Sequence, residues 1–242
     1  MNVHADTNAS PCGMLEVSTA DLTKLQTWFS PSFPVGAFSY SHGLEWLVET
    51  GEVRDVSSLR GWIEGVLLHG SGRSDAILLC AAWRAAAAQQ WSELQEIAAL
   101  AAALQPTAER RIESLGQGTA FCAAVTAAWP HPLLDHFRQT SPREIAAPVA
   151  VGVAGAAHQL PLDALLVAFL QAFAANLVSA GVRLIPLGQS DGLKVTSMLE
   201  PVVDEVSRQA LADGLDDVGS AAILTDIASM RHELQYTRLF RS

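Results

Sequence analysis

The segment SPSFPVGAFSYSHGLE, Ser30 to Glu45, carries Ser39, His42 and Glu45 at successive intervals of three residues. A hydroxyl nucleophile, a base and an orienting acid are the parts of a hydrolytic relay, and residues three apart on a helix share a face. Two observations weigh against that chemistry. Such relays are normally assembled from separated segments, because one rigid helix aims three groups at a single atom poorly. No G-x-S-x-G elbow surrounds Ser39 either. The competing reading places Ser39 and Ser41 in the first turns of a helix on which Tyr40, Leu44 and Leu47 pack. A hydrolase of unknown substrate using Ser39, His42 and Glu45 is the alternative to a non-catalytic role.

Two further patterns invite chemistry. LGQSDGLKV, Leu187 to Val195, combines glycines, a lysine and a helix start, as a phosphate cradle does. The spacing is wrong for a P-loop, since Gly188 and Gly192 are four apart and Leu193 separates Gly192 from Lys194. A polar helix start presenting Gln189, Asp191 and Lys194 to solvent is the simpler reading. The seven histidines form no H-x-x-x-H or H-x-x-E-H pair, and at His232-Glu233 the second histidine position of H-E-x-x-H is Tyr236. Cys12, Cys80 and Cys122 lie far apart with no C-x-x-C, so neither a disulfide framework nor a zinc site is indicated.

The elements that must carry these residues are helical. Strand-like alternation around a hairpin turn is missing, whereas apolar residues recur with helical spacing through most of the chain. Ser18 and Asp21 resemble a capping box preceding Leu22, Leu25 and Phe29. Pro31 and Pro34 end that helix, and the next is expected from Ala37 to Gly51. Asp55 or Ser57 can cap the next helix, with Leu59, Ile63 and Val66 inward, and further helices are expected over 74–89, 91–104 and 107–129. Pro130 and Pro132 close the last of these. Ile145 to His158 is small and apolar. Leu162, Leu166, Phe169, Phe173 and Leu177 mark a central helix that Pro186 ends. A stretch from Leu187 to Ala212, bent at Pro201, and a final helix from Gly219 to Leu239 follow. The expected fold is all-α, a single-domain helical bundle of about ten helices over residues 18–242, preceded by a flexible arm over 1–17.

Composition narrows the function. Of 242 residues, half are hydrophobic and 17% charged, so much of the chain must be buried. A net charge of −10 suits no nucleic acid, whose phosphates need clustered Lys and Arg, and matches a basic partner surface better. Ala164 to Val182 is uncharged and long enough to span a bilayer, but Gln171, Asn176 and Ser179 favour a buried core helix over a membrane span. The start, MNVHADTNASPCG, lacks the basic and apolar regions of a signal peptide, which points to the cytoplasm. Groups without chemistry remain. The only two tyrosines are Tyr40 and Tyr236, and Arg231, Arg238 and Arg241 gather with Tyr236, Leu239 and Phe240. Arg with aromatic residues is typical of interface anchors. The other reading of this tail, 236–242, is that it docks on its own bundle.

Three long blocks, SPSFPVGAFSYSHGLE, AFAANLVSAGVRLIPLGQSDGLKV (Ala172 to Val195) and DIASMRHELQYTRLFRS (Asp226 to Ser242), resemble the UreF family of urease accessory proteins. The match runs in order from about Leu25 to Ser242. The resemblance implies an all-α, non-enzymatic component of a nickel-insertion machinery. In it a UreF dimer joins UreD, also called UreH, recruits the GTPase UreG and docks on apo-urease. It implies no stably bound cofactor, although nickel passes through the complex. Carried onto this chain, it places Tyr40, His42, Glu45, Arg183, Gln189, Asp191 and Lys194 on the GTPase-facing side. Tyr236, Arg238, Leu239, Phe240, Arg241 and Ser242 fall on the UreD side.

Overall fold

A computed structural model describes residues 17–141 and 143–242, so the arm expected over 1–17 lies, but for Val17, outside the described residues. The described residues form eleven α-helices and two short 3-10 turns, and no strand. The all-α expectation is met. In chain order the helices are α1 Thr19–Trp28, α2 Leu44–Glu49, α3 Val56–His69, α4 Ser71–Ala87, α5 Trp91–Ala103 and α6 Ala108–Ala128. They continue with α7 Pro132–Thr140, α8 Ala147–Ala157, α9 Leu162–Leu184, α10 Gln189–Ala212 and α11 Ile223–His232.

Local sequence sets many of the helix starts. Ser18 and Asp21 form the expected capping box of α1, Asp55 and Ser58 form another at α3, and Thr107 caps α6 by accepting from the Arg110 N–H. α4 lies at the centre and packs most closely on α8. The close approach follows from side-chain size: Gly152 of α8 lies so near α4 that a Cβ there would sit 2.6 Å from the Leu79 carbonyl oxygen. α9 is the one described helix long and apolar enough to cross a membrane. It packs instead against α10, α4 and α3, with Leu165, Leu166, Leu170 and Leu177 buried.

Three expectations change. The helix expected from Ala37 to Gly51 is broken: Ala37–Ser39 is a 3-10 turn, and the helix proper is only α2. His42 and Gly43 between them have φ of 60° and 78°, a left-handed conformation that no helix continues through. Pro132 opens a helix, α7, besides closing the one before it as expected. Pro132 fits a first turn, and the His131 ring accepts from the Leu133 N–H as a cap. The final helix is shorter than expected, and its apolar stripe does not face the core. Ile223, Ile227, Met230 and Leu234 are all exposed, as is Leu224.

Candidate functional site

The end of the chain turns back and threads a polar seam between α2, α6 and α11. Gly43 makes the seam possible. It starts α2 with no side chain, and a Cβ there would lie 2.6 Å from the Ser229 nitrogen of α11. Glu45, in the first turn of α2, then reaches the tail, where its carboxylate accepts the backbone N–H groups of Leu239 at 2.6 Å and Phe240 at 2.9 Å. The same carboxylate lies 3.2 Å from His232 Nε2. The other ring nitrogen, Nδ1, is 2.7 Å from Glu109 at the start of α6, and Glu109 also accepts from Arg238 at 2.8 Å.

A second cluster lies one turn along α6. The Ser41 N–H and hydroxyl both donate to the Ser242 carbonyl oxygen, and the Ser242 hydroxyl donates to Glu113 at 2.8 Å. Arg110 pairs with Glu113 and donates to His42 Nδ1 at 2.6 Å, which leaves His42 Nε2 against the Ser71 hydroxyl at 3.0 Å. Burial, and then the Arg110 charge, push His42 below its ordinary value, so the ring is neutral. Burial alone would raise Glu113, but Arg110 and its hydrogen bonds outweigh that and hold the carboxylate well below the usual range. Burial raises Glu109 against the opposing pull of His232 and Arg238. His42, Arg110 and Asp75 also line a cavity of about 60 Å³ with Ser71, Thr225 and Asp226. Burial lifts Asp75 to about 7 although Arg110 opposes it.

These contacts place the expected site residues. Tyr40, His42 and Glu45 are buried, so the polar face expected to meet a partner is internal in this chain. The physical reason is that the tail covers Glu45, while Arg110, Ser71 and Phe173 enclose His42. The hydrolytic relay is not assembled either: His42 bonds to Arg110 and Ser71, and Glu45 to the tail, so neither is committed to Ser39. Arg183 is exposed, lies 4.3 Å over the Phe240 ring and donates to the Phe38 carbonyl, tying α9 to the tail. Gln189 and Lys194 are exposed at the start of α10, and Lys194 pairs with half-buried Asp191 at 2.8 Å.

The tail itself alternates, as extended chain does. Leu239 and Arg241 face outward, whereas Phe240 and Ser242 face inward. Leu239 is thus left to solvent, whereas Phe240 is only 4% exposed, packed on the chain's own bundle. Tyr236 is fully exposed and Arg238 reaches inward to Glu109. Together Ile223, Leu224, Ile227, Met230, Leu234, Tyr236 and Leu239 form an apolar surface along α11 and the tail. Sequence reasoning missed Asp75, Glu109, Arg110 and Glu113. For the three on α6 the available signal was AERRIES, which places Glu109 and Glu113 on one helix face. Among the described residues, no three His, Cys, Asp or Glu side chains gather as metal ligands would.

The chain matches the family model described as UreF over residues 53–200. It belongs to the UreF family. A relative from Rhodopseudomonas palustris (strain TIE-1), named urease accessory protein UreF, is 48% identical over 242 residues, 100% of both chains. Relatives of the same name from Xanthobacter autotrophicus (strain Py2) and Bradyrhizobium sp. (strain BTAi1) are each 49% identical, over 97% and 95% of this chain and 96% and 95% of theirs. The family-model match holds the α6 side of the seam, and the full-length relatives extend the likeness to α2, α11 and the tail.

Proposed function

We propose that this protein serves urease maturation as a non-catalytic docking component. It bridges UreD/UreH and the GTPase UreG, modulates that GTPase, and presents the assembly to apo-urease in the cytoplasm as a homodimer. Nickel is the cargo of the complex and is not held by this chain as a resident cofactor. The observation that carries the reading is the apolar surface of α11 and the tail. Exposed apolar patches of this kind mark protein-docking surfaces, and this one is rimmed by Arg231, Arg238 and Arg241. Family membership supplies urease maturation as the setting. The occupied hydrogen-bonding groups of His42 and Glu45 favour this reading over hydrolysis.

The test is urease activation in cells lacking this protein, complemented by the wild type or by Leu234→Asp with Leu239→Asp. Both side chains are exposed, so the variant should fold with an unchanged melting profile. It is expected to lose co-purification with UreD and most urease activation. Full activation and intact UreD binding by the double variant would overturn the placement of the docking surface. Failure of the wild type to restore activation would overturn the function.

A further inference from the structure

The contacts of His232 set a requirement that side-chain chemistry makes explicit. Its ring is fully buried, with Nδ1 2.7 Å from Glu109 and Nε2 3.2 Å from Glu45. A neutral imidazole carries one N–H, so one of these nitrogens would turn a lone pair toward a carboxylate. Satisfying both contacts takes one further proton, shared among Glu45, His232 and Glu109. The same Glu45 carboxylate holds the Leu239 and Phe240 N–H groups, so that proton is linked mechanically to the tail.

We infer that the C-terminal tail is held by a proton-dependent clasp, Glu45–His232–Glu109, which closes when the proton is bound and loosens when it leaves. The charged groups around the ring come from every element packed against it. α2 supplies Glu45, and α6 supplies Glu109, with the Arg110–Glu113 pair one turn further along and neutral His42 beside that pair. The tail supplies Arg238, which bonds Glu109, and Glu233 adjoins His232 in sequence. Without the proton, two buried carboxylates face each other across a neutral ring, with Arg238 alone to compensate. Burial raises Glu109, which acts in the same direction because it favours the protonated carboxyl in the closed state. The closed state binds more protons than the released one, so tail docking weakens as pH rises. Linkage to one proton limits the change to about tenfold per pH unit.

The isosteric change Glu109→Gln makes the inference sharp. An amide nitrogen in place of Oε2 donates to Nδ1, the Nε2–H donates to Glu45, and the remaining oxygen still accepts from Arg238. All contacts are then satisfied by a neutral ring. The experiment is hydrogen exchange on the full chain between pH 6 and pH 9, corrected for intrinsic exchange, with α4 amides as internal controls. In the wild type, the Leu239 and Phe240 amides should lose protection by about tenfold or more across that range while α4 amides do not change. Glu109→Gln should keep tail protection at pH 9, and His232→Gln should leave the tail unprotected at every pH. Wild-type tail protection that is flat with pH would overturn the clasp. So would Glu109→Gln showing the wild-type profile. The assay contains no partner, so its failure would leave the proposed accessory role untouched.

Discussion

Asp75 is the most consequential single charge in the fold. It lies on α4, 7% exposed, lining the small cavity beside His42 and Arg110, and it accepts no hydrogen bond among the described residues. Burial raises its carboxyl from 3.8 to about 7, with the Arg110 charge opposing and Glu113 adding to the rise. At about 1.4 kcal/mol per pH unit, that interval corresponds to roughly 4 kcal/mol. The sign follows from proton binding. The folded state holds the proton over this interval and the unfolded chain has lost it, so stability is fully present below 3.8 and is lost as pH rises toward about 7. Asp75→Asn removes the charge and keeps the shape. Urea unfolding of both proteins should therefore show the variant gaining on the wild type by roughly 2–3 kcal/mol between pH 5 and pH 8. This is a large share of the roughly 5–15 kcal/mol that holds a domain folded. An advantage that is equal at both pH values, or a variant that loses ground at pH 8, would refute the reasoning, because Asp75 would then be ionised and paired at neutral pH.

Other substitutions test the seam and the surfaces. Gly43→Ala combines a left-handed φ with a Cβ 2.6 Å from α11 backbone, so it should cost about 2 kcal/mol or more in chemical unfolding and free the tail to proteases. Ser39→Ala should leave urease activation at the wild-type level, whereas abolished activation with an intact fold would restore the hydrolytic reading. Lys194 is exposed and its partner Asp191 sits in the same helix, so Lys194→Ala should change the melting temperature little. It should still alter UreG recruitment or GTP turnover, and unchanged binding and turnover would remove α10 from the GTPase-facing side.

Much of the architecture was legible because it rests on local rules. Ser18 with Asp21, Thr107 and Gly51 announce helix boundaries, and each rule involves only groups within one or two turns. Leu59, Ile63 and Val66 repeat with helical spacing and are fully buried in α3. The same spacing puts Ile223, Ile227, Met230 and Leu234 on one stripe, and in the structure that stripe is exposed. Periodicity reports that a helix has an apolar face and is silent on whether the chain or a partner covers it. Sequence reasoning failed at His42 and Glu45, whose polar character suggested solvent exposure. Their partners are Arg110 from α6, and Leu239, Phe240 and His232 from the end of the chain.

The division between the two sources is therefore one of range. The amino-acid sequence alone determined that the chain is helical, where most helices begin and end, and which family it resembles, because capping, proline stops and apolar spacing act between near neighbours. Only the tertiary structure decided that Ser41 and Glu45 bind the tail from inside the fold and that His42 is buried against Arg110. A buried carboxylate must be satisfied by whatever the fold brings to it, and the partners of Glu45 lie up to 195 positions away along the chain.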